Sequence, residues 1–279
     1  MKNESIKDIN DRKPEKTYEL LSLADKGENI TVRDDQYDFS CLLDSVKLCR
    51  RRYSRFRLID SGKLDFFQLE WLGQAGADIY TSDKARSDVS GLELVNRACK
   101  GGKAFASFFF HGPLESEEGS NSISFPELQK IGINGIYLHL TNRENKRELS
   151  QLNDLAYACR KGGSWLVYYH HGVLESSFEE LGKNDAWIHV SDDSLKESED
   201  GTQVLDKVKS LLSSGVKLVI HLEKGLDFLL LRDIMKTGAF VLFKSSLYDY
   251  KSPFRVLERE ARKRTVDFRA YYLYLTLLP

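Results

Sequence analysis

An ungapped repeat sixty residues apart constrains this chain more than any other feature. One copy has Ala98-Cys99, Phe108-Phe109-Phe110-His111-Gly112 and Leu114-Glu115-Ser116. The other has Ala158-Cys159, Tyr168-Tyr169-His170-His171-Gly172 and Leu174-Glu175-Ser176. Each copy reads as a helix end, a strand and a His-Gly-x-Leu-Glu-Ser turn. A strand–helix–strand–helix unit repeated around a closed sheet has about this period.

The rest of the chain keeps the same rhythm. Eight short apolar, β-branched or aromatic runs occupy residues 56–60, 77–81, 104–111, 135–140, 165–171, 186–190, 216–221 and 240–243. Helical patterns lie between them at 64–74, 91–100, 125–131, 149–161, 178–181, 202–214 and 227–236, and a last one begins at Pro253. Gly76, Gly101, Gly132, Gly162, Gly215 and Gly238 stand where helices would stop. Strand and helix alternating eight times, with crossovers long enough for parallel pairing, predict an α/β fold, a (β/α)8 TIM-type barrel with an N-terminal helical extension. An open doubly wound sheet would carry a glycine-rich phosphate turn after its first strand. Here that turn is Asp60-Ser61-Gly62-Lys63-Leu64.

The barrel is assigned to residues 54–279, and residues 1–53 to a polar extension ending in a capping helix. Up to about residue 35 the extension is charged and poor in apolar residues. From there Phe39, Leu42, Leu43, Val46 and Leu48 recur at helical spacing.

Charge excludes some partners. With 41 Lys plus Arg against 42 Asp plus Glu, no global field draws the chain to nucleic acid or an anionic membrane. No apolar run approaches the ~18 residues of a membrane span, and Met1-Lys2-Asn3-Glu4-Ser5 lacks the apolar core of a signal peptide. The expected location is the cytoplasm. The four cysteines show no Cys-x-x-Cys spacing, and Cys99 and Cys159 match in the repeat, which suits small buried thiols.

All six histidines fall within or at the ends of expected strands. In barrels of this class the carboxyl ends of the strands build the site. Those ends carry Asp60 and Ser61, Ser82 and Asp83, His111, Thr141 and Asn142, His170 and His171, Ser191 with Asp192 and Asp193, Glu223 and Lys224, and Lys244 with Ser245. Neutral imidazoles with carboxylates are donors that zinc, manganese or iron would select, and a metal with an open position makes hydroxide near neutral pH. On that reading His111, His171, Glu115 and Glu175 hold the metal, while His170, Asp60, Asp192 or Glu223 acts as acid or base. No His-x-His or His-Glu-x-x-His spacing fixes such a geometry.

A strand alternates its faces, so His170 and His171 point opposite ways. His171 matches His111, whereas His170 matches Phe110. That makes His170 the special residue of the doublet if it faces the site. His111 and His171 equally suit a structural role, bonding turn backbone beside Gly112 and Gly172. His139, His189 and His221, between apolar neighbours, are candidates for a shared inner layer or for satisfied core histidines. Lys224, Lys244 and Ser245 are candidates for binding a substrate phosphate or carboxylate beside the last two strands.

The resulting expectation is an enzyme using histidine and carboxylate chemistry, hydrolysis or a related acid–base reaction, on a small-molecule polar substrate, with or without a divalent metal. Two alternatives remain open: a metal-free isomerase or aldolase, and a non-catalytic barrel. The latter would assemble, as a homo-oligomer or with a partner, through the aromatic C-terminal segment, residues 267–279. The acidic loop after His111, residues 115–122, reads as a tolerated insertion or a lid.

Overall fold

The computed structural model describes residues 16–114, 123–196, 201–222, 226–243 and 268–270. Nine strands alternate with helices: β1 (Ile30–Arg33), β2 (Phe56–Ile59), β3 (Ala77–Ser82), β4 (Ala106–Phe110), β5 (Tyr137–Thr141), β6 (Leu166–His170), β7 (Trp187–Ser191), β8 (Lys217–Leu222) and β9 (Phe240–Phe243). A three-residue strand, β10 (Phe268–Ala270), pairs with β9. The helices are α1 (Thr17–Asp25), α2 (Phe39–Arg51), α3 (Phe66–Ala75), α4 (Leu92–Gly101), α5 (Phe125–Ile133), α6 (Leu149–Gly162), α7 (Asp193–Lys196), α8 (Gly201–Ser214) and α9 (Phe228–Thr237). A 3-10 helix, Ser176–Asn184, replaces an α-helix between β6 and β7.

Strand order in the sheet is strand order in the chain, and every neighbouring pair is parallel. Helical crossovers that lay each strand beside the last produce this order. It is compatible with a TIM-type barrel. Among the described residues the sheet is not closed, and β1 and β10 are its edges.

β1 lies within the segment that sequence reading treats as an extension. Ile30 pairs with Phe56 and Val32 with Leu58, all four buried. The strand is short and its surroundings are polar, so periodicity alone does not distinguish it from a turn.

The two faces of the sheet differ. Phe56, Leu58, Ile79, Phe108, Leu138, Leu166, Ile188, Leu218 and Val241 belong to the main core, with Leu42 of α2, Leu69 of α3, Val95 of α4, Leu155 of α6 and Ile234 of α9. The opposite face, termed inner because the helices pack on the other, holds rings that pack on one another: Tyr80, Phe109 and Tyr169 form a separate cluster with Val167, Phe105 and Trp187.

The repeat has a packing cause. A Cβ on Gly102 would lie 2.0 Å from the Gly73 carbonyl oxygen, and one on Gly162 would lie 2.1 Å from that of Gly132. These glycines let α3 meet α4, and α5 meet α6, backbone to backbone. Cys99 and Cys159 sit in the same contacts, where burial pushes both thiols up to about 12.

The turn after β2 is a third, diverged copy. Ser61-Gly62-Lys63-Leu64-Asp65 keeps the Gly-x-Leu-acid pattern of the turns after β4 and β6. Leu64, Leu114 and Leu174 are all buried in the core. Asp65 then starts α3 by accepting the Gln68 amide at 2.7 Å while Gln68 Oε1 accepts the Asp65 amide at 3.1 Å, a reciprocal cap.

Candidate active site at the strand ends

The first residue after β1, β3 and β5 grips the chain where the next strand ends. After β1, Asp34 accepts the Ser61 amide at 2.9 Å, the Ser61 hydroxyl at 2.5 Å and the Leu64 amide at 3.2 Å. After β3, Asp83 accepts the amides of His111 at 2.8 Å and Gly112 at 2.9 Å. After β5, Asn142 Oδ1 accepts the His171 amide at 2.7 Å, and its Nδ2 donates to the His171 carbonyl at 2.9 Å. Asp192 takes the same position after β7 and is wholly buried. Each grip satisfies backbone groups where a strand leaves its ladder.

The second of these grips also holds an imidazole through its carboxylate, whereas Asn142 Nδ2 lies 3.4 Å from His170 Nδ1. Asp83 Oδ1 lies 2.5 Å from His111 Nδ1, and both side chains are largely buried. Burial by itself would raise the Asp83 carboxyl. The His111 ring and the amides of His111 and Gly112 outweigh burial and hold the carboxyl below its ordinary range. An ionised Asp83 accepts hydrogen bonds, so the contact places a proton on Nδ1 and leaves Nε2 as the basic nitrogen.

The His111 backbone is held from the other side as well. Asn145 Nδ2 donates to the His111 carbonyl at 2.6 Å. The buried Arg147 reaches the same carbonyl at 3.2 Å, that of Gly112 at 2.7 Å and that of Thr141 at 2.8 Å. Arg147 also lies over the Phe110 ring, 5.7 Å from its centroid.

Beneath this rim the inner face carries a row of rings. His139 stacks on Phe109 at 4.1 Å between centroids, and its Nδ1 is 3.1 Å from the Tyr169 hydroxyl. Tyr169 packs on His189 at 4.6 Å, and His189 Nδ1 meets His221 Nε2 at 2.7 Å. Burial lowers His139 and His221 to about 3, and burial with the neighbouring His221 and His139 takes His189 well below its ordinary value. All three are neutral at physiological pH, so the 2.7 Å contact is one imidazole N–H donating to the other. His139, His189 and His221 therefore lie in one row on the face away from the helices, with Tyr169 interleaved.

The remaining sequence candidates are distributed as follows. His170 is on the helix face, like its counterpart Phe110. Its ring packs edge-on against Phe178 at 4.8 Å, and its Nε2 is 2.8 Å from the Val173 carbonyl, across the turn. Asp60 is also on the helix face, where it accepts Thr81 Oγ1 at 2.6 Å, Arg86 Nε at 2.5 Å, Arg86 Nη2 at 2.8 Å and the Gly62 amide at 2.9 Å. His171 and Glu175 are exposed. Glu115, Glu223, Lys224, Lys244 and Ser245, the loop 115–122 and the C-terminal residues 271–279 lie outside the described residues.

Among the described residues no three His, Cys, Asp or Glu side chains converge as a metal shell would require. No described helix is long and apolar enough to cross a membrane. Sequence reading placed Asp83 and Asn142 among the polar strand ends without giving either a task. Their shared position, first after an odd-numbered strand, is the signal that marks them. Comparison with protein-family models and with curated proteins found no match.

Proposed function

We propose that this chain is an enzyme that uses His111 as a general base, oriented by Asp83, on a small polar substrate at the carboxyl ends of the strands. Hydrolysis or a related proton transfer is the reaction class. The 2.5 Å contact between His111 Nδ1 and Asp83 carries the reading. A base must present a lone pair at a fixed place, and a carboxylate on one ring nitrogen defines both tautomer and orientation. Asp83 is itself fixed by two amides, and the His111 peptide by Arg147 and Asn145.

We infer a TIM-type closure around the inner face, with β1 added to the eight strands expected from sequence, and the sequential order of parallel strands supports it. Four buried, unpaired cysteines support a reducing, cytoplasmic setting. The described donors do not assemble a zinc, manganese or iron shell, so no step is derived through a metal.

Two measurements test the base. Histidine-selective ¹⁵N NMR is expected to show His111 protonated on Nδ1; an Nε2-protonated ring would overturn the assignment. In a screen of esters, lactones and phosphate esters, H111Q is expected to reduce turnover by about 10²–10⁴. Turnover unchanged in H111Q would remove His111 from the chemistry.

A further inference from the structure

We propose that the same rim binds its substrate through an oxyanion, a carboxylate or phosphate oxygen, held by the hydroxyls of Ser82 and Thr141. The proposal rests on the reading of His111 as the reacting group and names the substrate class that site would take.

Ser82 ends β3 and Thr141 ends β5, the two strands that flank β4 and His111. The pairing of Ser82 with Phe109, and of Phe109 with His139, puts all three on the inner face. Thr141 is two residues beyond His139, and His111 two beyond Phe109, so alternation brings both to that face as well.

Each hydroxyl already accepts a loop amide: Ser82 Oγ from Ala85 at 3.2 Å, and Thr141 Oγ1 from Arg143 at 3.2 Å. A hydroxyl that accepts from a backbone amide keeps its own hydrogen to donate. Neither hydrogen has an acceptor among the described residues. The local carboxylates are occupied elsewhere: Asp83 by the His111 ring and two amides, and Asp60 by Arg86, Thr81 and Gly62. The rim therefore offers donors whose complement is a ligand rich in acceptors.

Lys84 follows Asp83, and Glu144 follows Arg143, so each loop beside His111 brings one cation and one carboxylate. Among the described residues Lys84 pairs with Glu144 at 3.9 Å, with both side chains about half exposed. An oxyanion offers two hydroxyl donors more and stronger acceptor sites than a neutral carbonyl does, and this separates an anion from a generic polar ligand.

Calorimetric titration of the full chain with inorganic phosphate, acetate and neutral acetamide tests the proposal. Saturable binding of phosphate or acetate, with acetamide far weaker, is expected, and the anion preferred identifies the group. S82A and T141V should each weaken that binding about tenfold, the scale of a hydrogen bond to a charged group. T141S, which keeps the hydroxyl, should restore it. Should T141V fail to fold, S82A and T141S carry the comparison. Absence of saturable anion binding to wild type, S82A binding as wild type does, or acetamide matching acetate would each overturn the proposal. H111Q separates the two readings: an oxyanion site that survives in H111Q stands whether or not His111 is the base.

Discussion

His111 at the rim and the His139, His189, His221 row beneath it are built from the same side chain and do opposite things. His111 has a carboxylate, so a proton arriving at Nε2 creates a cation with a partner. The buried row has Tyr169 and other imidazoles as neighbours, and burial opposes a proton arriving there. Burial keeps the row neutral, as a polar spacer in an aromatic layer, while the rim imidazole has a carboxylate on its Nδ1.

Acid should expose this contrast most strongly. His139 and His221 are held at about 3 in the folded chain, against an ordinary 6.5. A histidine depressed by folding contributes stability that is intact above about 6.5 and lost as the pH falls toward about 3. Each should cost about 1.4 kcal/mol per pH unit over that window, roughly 2 kcal/mol apiece at pH 5. Denaturant titrations across that range measure it. A flat stability curve down to pH 4 would mean that the row is not the neutral, dry layer described.

Removing the carboxylate is the next largest change. D83A strands two amides and an imidazole and should cost about 2–4 kcal/mol by chemical denaturation. The Asn142 grip is uncharged and holds His171 at an exposed rim, so N142A should cost only about 1–2 kcal/mol. Equal losses would show that the two grips are the same device and that the charge on Asp83 adds nothing.

The smallest test converts one grip into the other. Burial first, then Arg143 and His170, lowers His171. N142D places a carboxylate on the same backbone, and NMR titration should find the His171 ring raised by about one pH unit. No rise would mean that the side chain at 142 controls the turn but not the ring.

Much of this fold is legible in the sequence because its repeat is dictated by packing. Gly132 and Gly162 lie in the last turns of their helices and also admit the neighbouring helix, so one residue type marks both the approach of a boundary and the contact. β1 is hidden because four residues among charged neighbours give no period. The site is legible only by region. Alternation separates His171 from His170, but no periodicity says which face is inner, so His170 reads as the special member of the doublet while the structure turns it toward Phe178. Asp83 looks like any loop aspartate until strand pairing brings His111, distant in sequence, to its oxygen.

Because Gly73 with Gly102, and Gly132 with Gly162, join helices that are close neighbours in the chain, each strand–helix–strand–helix unit closes most of its contacts locally. Local closure favours rapid formation and opening in blocks. Amide hydrogen exchange should then resolve successive cooperative units, α3 rising and falling with α4, and α5 with α6. The Asp83 grip ties residues of adjacent units together, so His111 would take up its tautomer only once both units have docked.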